Sequence, residues 1–129
     1  MVRDRRDPRP CLLSLLYPML DDRLETPSSF ESTAKVVFAR GDLQLAWCAP
    51  GRATDLSDLP ETFVAVAQLD QPQDEGIDFA HRLIAAGVPV DLHHYARAFH
   101  AWDRFAATSA LARAFEQTWR GFLHRRLHG

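Results

Sequence analysis

Two short apolar runs separated by a helical pattern constrain this chain more than any other feature. The run Thr62 to Ala67, TFVAVA, leads through Leu69-Asp70 into a turn-rich QPQDEG. Apolar residues then recur at Ile77, Ala80, Leu83 and Ile84 ahead of Gly87, the spacing of one helix face. A second strand-like run follows from Val88 to Tyr95, before a loop that holds His100. Strand, helix and strand in that order predict a parallel pair joined by a right-handed crossover. In open parallel sheets, ligands and reactive side chains gather beyond the carboxyl ends of the strands. Asp70 and His100 each lie just past such an end, so a carboxylate and an imidazole from neighbouring strands can meet there.

The rest of the chain adds one strand and one long helix. Leu12 to Tyr17 is a continuous apolar run ended by Pro18, as expected for a strand covered on both faces. Asp21, Asp22, Arg23, Thr26, Pro27 and Ser28 read as a polar loop at the carboxyl edge, and Phe30 to Leu45, interrupted by Gly41-Asp42, as a short or broken helix. Asp74 and Glu75 place negative charge at the amino end of the central helix, and Gly87 with Val88-Pro89 stops it. From about Phe105 to Leu127, Leu111, Phe115, Trp119, Phe122 and Leu123 form a stripe that predicts a helix packed on the sheet. Three parallel strands in sequential order put both crossovers on one face and leave the other to this last helix. The Leu12 to Tyr17 strand then lies at an edge, with amides and carbonyls open to association.

Composition removes several function classes. The 129 residues carry 15 basic and 17 acidic side chains, a net charge of -2, which gives no field for nucleic acid. A hydrophobic content of 47% argues for a globular chain. No apolar run approaches the ~18 residues of a membrane span. Leu12 to Leu16 is too short for a signal sequence core, so a cytoplasmic protein is expected. Cys11 and Cys48 have no metal-binding spacing; they read as small apolar fillers, with neither disulfide nor zinc.

LPETFVAVAQLDQPQDEG, LIAAGVPVDLHHY and AFHAWD, with the earlier LLYPMLDDR, resemble in order the carboxyl-terminal portion of an α/β-hydrolase of the hormone-sensitive-lipase-like carboxylesterase and lipase branch. The resemblance runs from about Leu12 to the end of the chain. It implies a three-layer α/β fold of about three parallel strands with helices on both faces, residues 1–129 forming one partial domain. It also implies that Asp70 is the acid and His100 the histidine of a Ser-Asp-His triad, that short-chain carboxylic esters are the substrate class, and that no cofactor is needed. The nucleophile of that family sits in a G-x-S-x-G elbow and its oxyanion hole in an HGG-type loop. Neither string occurs in these residues. A truncated or split coding sequence, inactive by itself, is the expectation; the alternative is a noncatalytic module that assembles, with itself or a partner, through the open sheet edge.

Asp74 and Glu75 compete with Asp70, but their position suits the helix end. Among the histidines, His93 and His94 are adjacent on a strand and point to opposite faces, which opposes shared metal ligation. His81 lies in a helix, and His124 and His128 near the carboxyl end of the last one. Ser14, Ser28, Ser29, Ser32, Ser57 and Ser109 lack the elbow context. Against the family pattern, Ala67-Gln68-Leu69-Asp70 stands for GELD, Gln73 for an arginine, and Tyr95 to Trp102 for YPGAFHGF. Positions 97 and 101 thus lose glycine beside the histidine, which implies either relaxed constraint or a different loop geometry.

Overall fold

The structure is a computed structural model that describes residues 9–31 and 50–129. Three parallel strands, β1 (Leu13–Leu16), β2 (Thr62–Ala67) and β3 (Val90–Tyr95), pair in the order β1-β2-β3. Leu13 stands opposite Thr62 in one ladder and Thr62 opposite Val90 in the other. Among the described residues four helices accompany them: α1 (Pro27–Glu31), α2 (Gln73–Ala85), α3 (Trp102–Phe105) and α4 (Ala110–His128), with a 3₁₀ turn at Pro50–Arg52.

β2 is buried at every residue, as its unbroken apolar run requires of a central parallel strand. Because side chains alternate along a strand, it builds two cores. Phe63, Ala65 and Ala67 face Ala98, Trp102, Ala112, Phe115 and Phe122. Val64 and Val66 face Ala80 of α2, next to a cluster of Leu20, Leu56, Phe79, Leu83 and Val88. The last helix therefore covers the face opposite α2, as expected. Trp119 Nε1 of α4 donates to Ser14 Oγ of β1 at 2.8 Å and Arg125 pairs with Asp91 of β3 at 3.0 Å, so α4 is tied to both edges of the sheet.

Helix α2 begins at Gln73, one residue ahead of the Asp74-Glu75 pair expected at its amino end. Pro72 at its N-cap supplies no side-chain acceptor. The cap comes instead from Ser28, remote in sequence. Ser28 Oγ accepts from the Asp74 N–H at 3.1 Å, the Asp74 carboxylate accepts from the Ser28 N–H at 2.8 Å, and Ser28 Oγ donates to the Gln71 carbonyl at 2.7 Å. At the other end Gly87 takes φ 79, the Gly87 N–H donates to Ile84 O and the Val88 N–H to Leu83 O, which closes the helix as a Schellman turn.

Several expectations need correction. The last helix does not start at Phe105, which is 68% exposed at the end of the separate α3. The chain breaks at Ala106, and Ser109, in extended conformation, caps α4 by accepting from the Ala112 N–H. β1 is half-buried along its length rather than covered on both faces, in keeping with its place at the sheet edge. β3 begins at Val90, after Pro89, rather than at Val88. Cys11 is exposed ahead of β1 and is no filler. Of the Phe30 to Leu45 segment only the end of α1 is described; the remainder, with Cys48, lies outside the described residues.

Gly76 lies where α2 meets β2, and an added Cβ there would come within 2.6 Å of Val66 Cγ1. Val66 is buried and its χ1 is stiff. Gly76→Ala gains about 1 kcal/mol of helix propensity but overpacks a filled core, which costs about 1–3 kcal/mol. Net destabilisation is expected, read as a lower urea midpoint; a raised midpoint would show that this contact yields.

Candidate active site

The two loops that leave β2 and β3 are bonded to one another before they reach Asp70 and His100. The Gln68 N–H donates to Tyr95 O at 3.1 Å and the Leu69 N–H to Ala98 O at 2.8 Å. Gln68 Oε1 accepts from the Arg97 N–H at 2.8 Å. These bonds place Asp70 and His100 side by side. His100 Nδ1 lies 2.8 Å from Asp70 Oδ2, within the range of a charge-assisted hydrogen bond. Both groups are shielded, with side-chain exposures of 15% for His100 and 8% for Asp70.

The loop carrying His100 turns through two left-handed residues, Arg97 at φ 62 and Ala101 at φ 58. These are the positions at which the family pattern has glycine. The loop has kept a glycine-type backbone without the glycines. Of the two alternatives left open by the sequence, a different geometry at these residues is therefore unnecessary. An L-residue in this region costs roughly 1–2 kcal/mol, and the bonds to Gln68 and Leu69 hold the loop against that cost.

Sequence reasoning missed Tyr17, the residue that ends β1. Its ring meets the His100 ring edge-on at 4.8 Å between centroids and Trp102 at 5.6 Å. Its hydroxyl donates to Asp103 Oδ1 at 2.9 Å. Burial first, and then the Asp103 hydrogen bond, push the phenol pKa upward. The available signal was its place, between an apolar run and Pro18 at the carboxyl edge of the sheet. Trp102 is buried behind it, and its Nε1 has no hydrogen-bond partner among the described residues.

Glu75 is more than a charge at a helix end. Its oxygens accept from the Leu20 N–H at 3.2 Å and the Asp21 N–H at 2.8 Å, joining the loop after β1 to the first turn of α2. Burial pushes its pKa up to about 7, against the pull of those two amides, while the charges of Asp21 and Asp70 push the same way as burial.

The other candidates are placed elsewhere. His93 stacks on Phe63 at 4.9 Å while the neighbouring His94 is exposed. His81 is exposed on α2, and His124 and His128 lie together on the last turns of α4. Among the described residues no group of three or more His, Cys, Asp or Glu could hold a metal. Ser28 caps α2, Ser29 bonds Thr26, Ser57 bonds Asp55, Ser14 accepts from Trp119 and Ser109 caps α4. Ser32 lies outside the described residues.

A family model described as the alpha/beta hydrolase fold matches residues 1–104. Carboxylesterase NlhH of Mycobacterium tuberculosis is 33% identical over 148 residues, taking in 99% of this chain and 46% of that protein. Esterase LipI of the same organism is 42% identical over 83 residues, 63% of this chain and 25% of its own length. Among solved structures, a bacterial heroin esterase matches with a TM-score of 0.92 at 32% identity, over 99% of this chain and 46% of the other. Esterase LipW from Mycobacterium marinum gives 0.90 at 28%, over 98% and 44%. The chain thus spans about half, or less, of the length of these relatives.

Two measurements check the local physics. Ala101→Gly should stabilise the fold by roughly 0.5–1 kcal/mol, relief of the left-handed backbone being offset in part by the freer unfolded chain; an unchanged or lower urea midpoint would argue that the backbone is unstrained. For Glu75 the folded state holds the proton more tightly than the unfolded one, so its contribution to stability is full below about pH 4.5 and declines as pH rises through about 7. Glu75→Gln should flatten the stability-against-pH curve over that window, and a slope that survives the substitution would assign it to other groups.

Proposed function

We propose, from the premise that this chain belongs to the α/β-hydrolase fold family, that it is the acid–base half of a carboxylesterase of the hormone-sensitive-lipase-like branch. Asp70 is the triad acid and His100 the general base. The observation that carries this reading is the 2.8 Å approach of His100 Nδ1 to Asp70 Oδ2 at the carboxyl ends of adjacent parallel strands. A carboxylate on Nδ1 selects the tautomer whose Nε2 is a base, and it stabilises the imidazolium that forms when Nε2 takes a proton.

The nucleophile in this reading is a serine outside these residues, delivered with oxyanion donors by an elbow segment. His100 removes the serine proton as Oγ attacks the ester carbonyl, then returns it to the departing alcohol, leaving an acyl-enzyme. Water, deprotonated by the same histidine, releases the acid. Short-chain carboxylic esters are the proposed substrates. Neither metal nor cofactor enters the sequence of steps. Among the described residues no helix is long and apolar enough to cross a membrane.

A second reading has one observation behind it. β1 is a half-buried edge strand, and an apolar cleft of about 240 Å³ lies beside it, lined by Leu13, Leu15, Leu20, Leu59 and Phe79 among others. Such an edge favours association. In this reading the chain is an interaction module, and the isolated chain is oligomeric.

The 129-residue chain should hydrolyse a short-chain aryl ester no faster than its His100→Ala variant. Supplied with a segment bearing the elbow and oxyanion loop, it should gain activity that Asp70→Asn lowers by a factor on the order of 10⁴. Saturable hydrolysis by the isolated chain, lost in His100→Ala and blocked by a serine-directed phosphonate, would overturn the division of labour. Complemented activity indifferent to Asp70 and His100 would overturn the assignment. Sedimentation tests the second reading, which a folded monodisperse monomer at tens of micromolar excludes.

A further inference from the structure

Tyr17 combines three features that no need of the β1 strand explains. It is a bulky residue in the left-handed region, at φ 39, although such residues adopt that conformation only when their surroundings impose it. Its backbone is nonetheless pinned, the Tyr17 N–H donating to the Ala65 carbonyl of β2 at 2.7 Å. The conformation sends the phenol ring across the carboxyl edge of the sheet. There it meets His100 at 4.8 Å with an interplanar angle of 62° and Trp102 at 5.6 Å and 71°. The hydroxyl then reaches Asp103, three residues beyond the histidine, at 2.9 Å.

A hydrogen bond at Nδ1 fixes one atom of an imidazole, and a general base needs its second nitrogen aimed to within about 0.5 Å. Asp70 restrains one atom of His100. The Tyr17 ring restrains the plane, and its hydroxyl fastens the start of α3 to the same strand end. The charged groups that face the phenol are Asp103 and Arg104, both from α3. Burial and the Asp103 bond keep the hydroxyl protonated and so able to donate.

We propose that Tyr17 is a positioning residue for His100: its ring, anchored through Asp103, holds the imidazole plane so that the Asp70 bond fixes the direction of Nε2. This rests on reading Asp70 and His100 as an acid–base pair. Tyr17 acts through His100 and touches no substrate in this assignment.

The test is ¹⁵N and ¹³C NMR of the His100 imidazole in the 129-residue chain, which needs no substrate. In the unmodified chain Nδ1 should carry the proton. In Tyr17→Leu the population with the proton on Nε2 should rise at least threefold and the ring order should fall. Tyr17→Phe, which keeps the ring and loses the anchor, should restore most of the order, and Asp103→Asn, which keeps an acceptor, should match the unmodified protein. Circular dichroism verifies that each variant is folded. If Tyr17→Leu does not fold, Asp103→Ala replaces it, with a partial loss of ring order expected. Unchanged tautomer populations and ring order in the folded variant would overturn the proposal while leaving the acid–base pair intact. Nδ1 found unprotonated in the unmodified chain would overturn the pair itself, and the role of Tyr17 with it.

Discussion

Burial of β2 on both faces is the constraint on which the described structure depends. A six-residue strand with no exposed position commits its even-numbered side chains to one layer and its odd-numbered ones to the other. Val64 and Val66 require α2, and Phe63, Ala65 and Ala67 require α4 with the aromatic group around Trp102. Among the described residues both neighbours of β2 are then edge strands, so its carboxyl end is flanked by two loops, one from β1 and one from β3. The acid leaves from the centre and the histidine from one side. Tyr17 arrives from the other.

Of the five non-glycine residues with positive φ among the described residues, three lie around that meeting point, Leu24 and Asp58 being elsewhere. Tyr17, Arg97 and Ala101 all have positive φ, and all lie at the carboxyl edge within the loops that surround His100. Left-handed L-residues persist only where neighbouring bonds over-determine them. Arg97 is held by Gln68 Oε1, the stretch between by the Leu69 to Ala98 bond, and Tyr17 by Ala65 and Asp103. The same bonds hold the loop from which the imidazole projects. Loss of glycine has thus cost conformational ease without moving the histidine away from the carboxylate.

What was legible in the sequence was what rests on local periodicity. TFVAVA and the β-branched and aromatic run ending at Tyr95 identified the parallel strands, and with them the edge at which Asp70 and His100 stand. What was not legible depends on distant partners. Asp74 and Glu75 marked the start of α2, but QPQDEG also looks like a turn because the capping side chain, Ser28, is far away in sequence. Glu75 looks like a dipole complement, and only the fold reveals the Leu20 and Asp21 amides that it accepts from. The break between α3 and α4 was partly visible in Ser109, a good N-cap residue, but the aromatic stripe drew the helix too far upstream. Tyr17 was absorbed into the apolar run before Pro18, since nothing nearby in sequence announces a contact with a residue of the third loop.

Asp74 and Glu75 make the position of Asp70 depend on the segment after β1. Asp70 opens the turn that leads into α2, and its carbonyl accepts from the Gln73 N–H at 3.2 Å. The first turn of that helix is bonded at Asp74 to Ser28 and at Glu75 to Leu20 and Asp21. Any rearrangement of residues 20–28 therefore moves the start of α2, and the start of α2 carries the carboxylate. Tyr17, just ahead of the same segment, bears on the imidazole. The acid and the histidine are thus each braced from β1, the strand that contributes neither of them. A site assembled in this way keeps its geometry only while β1 stays in register with β2, and that register is set by the four pairs from Leu13 opposite Thr62 to Leu16 opposite Ala65.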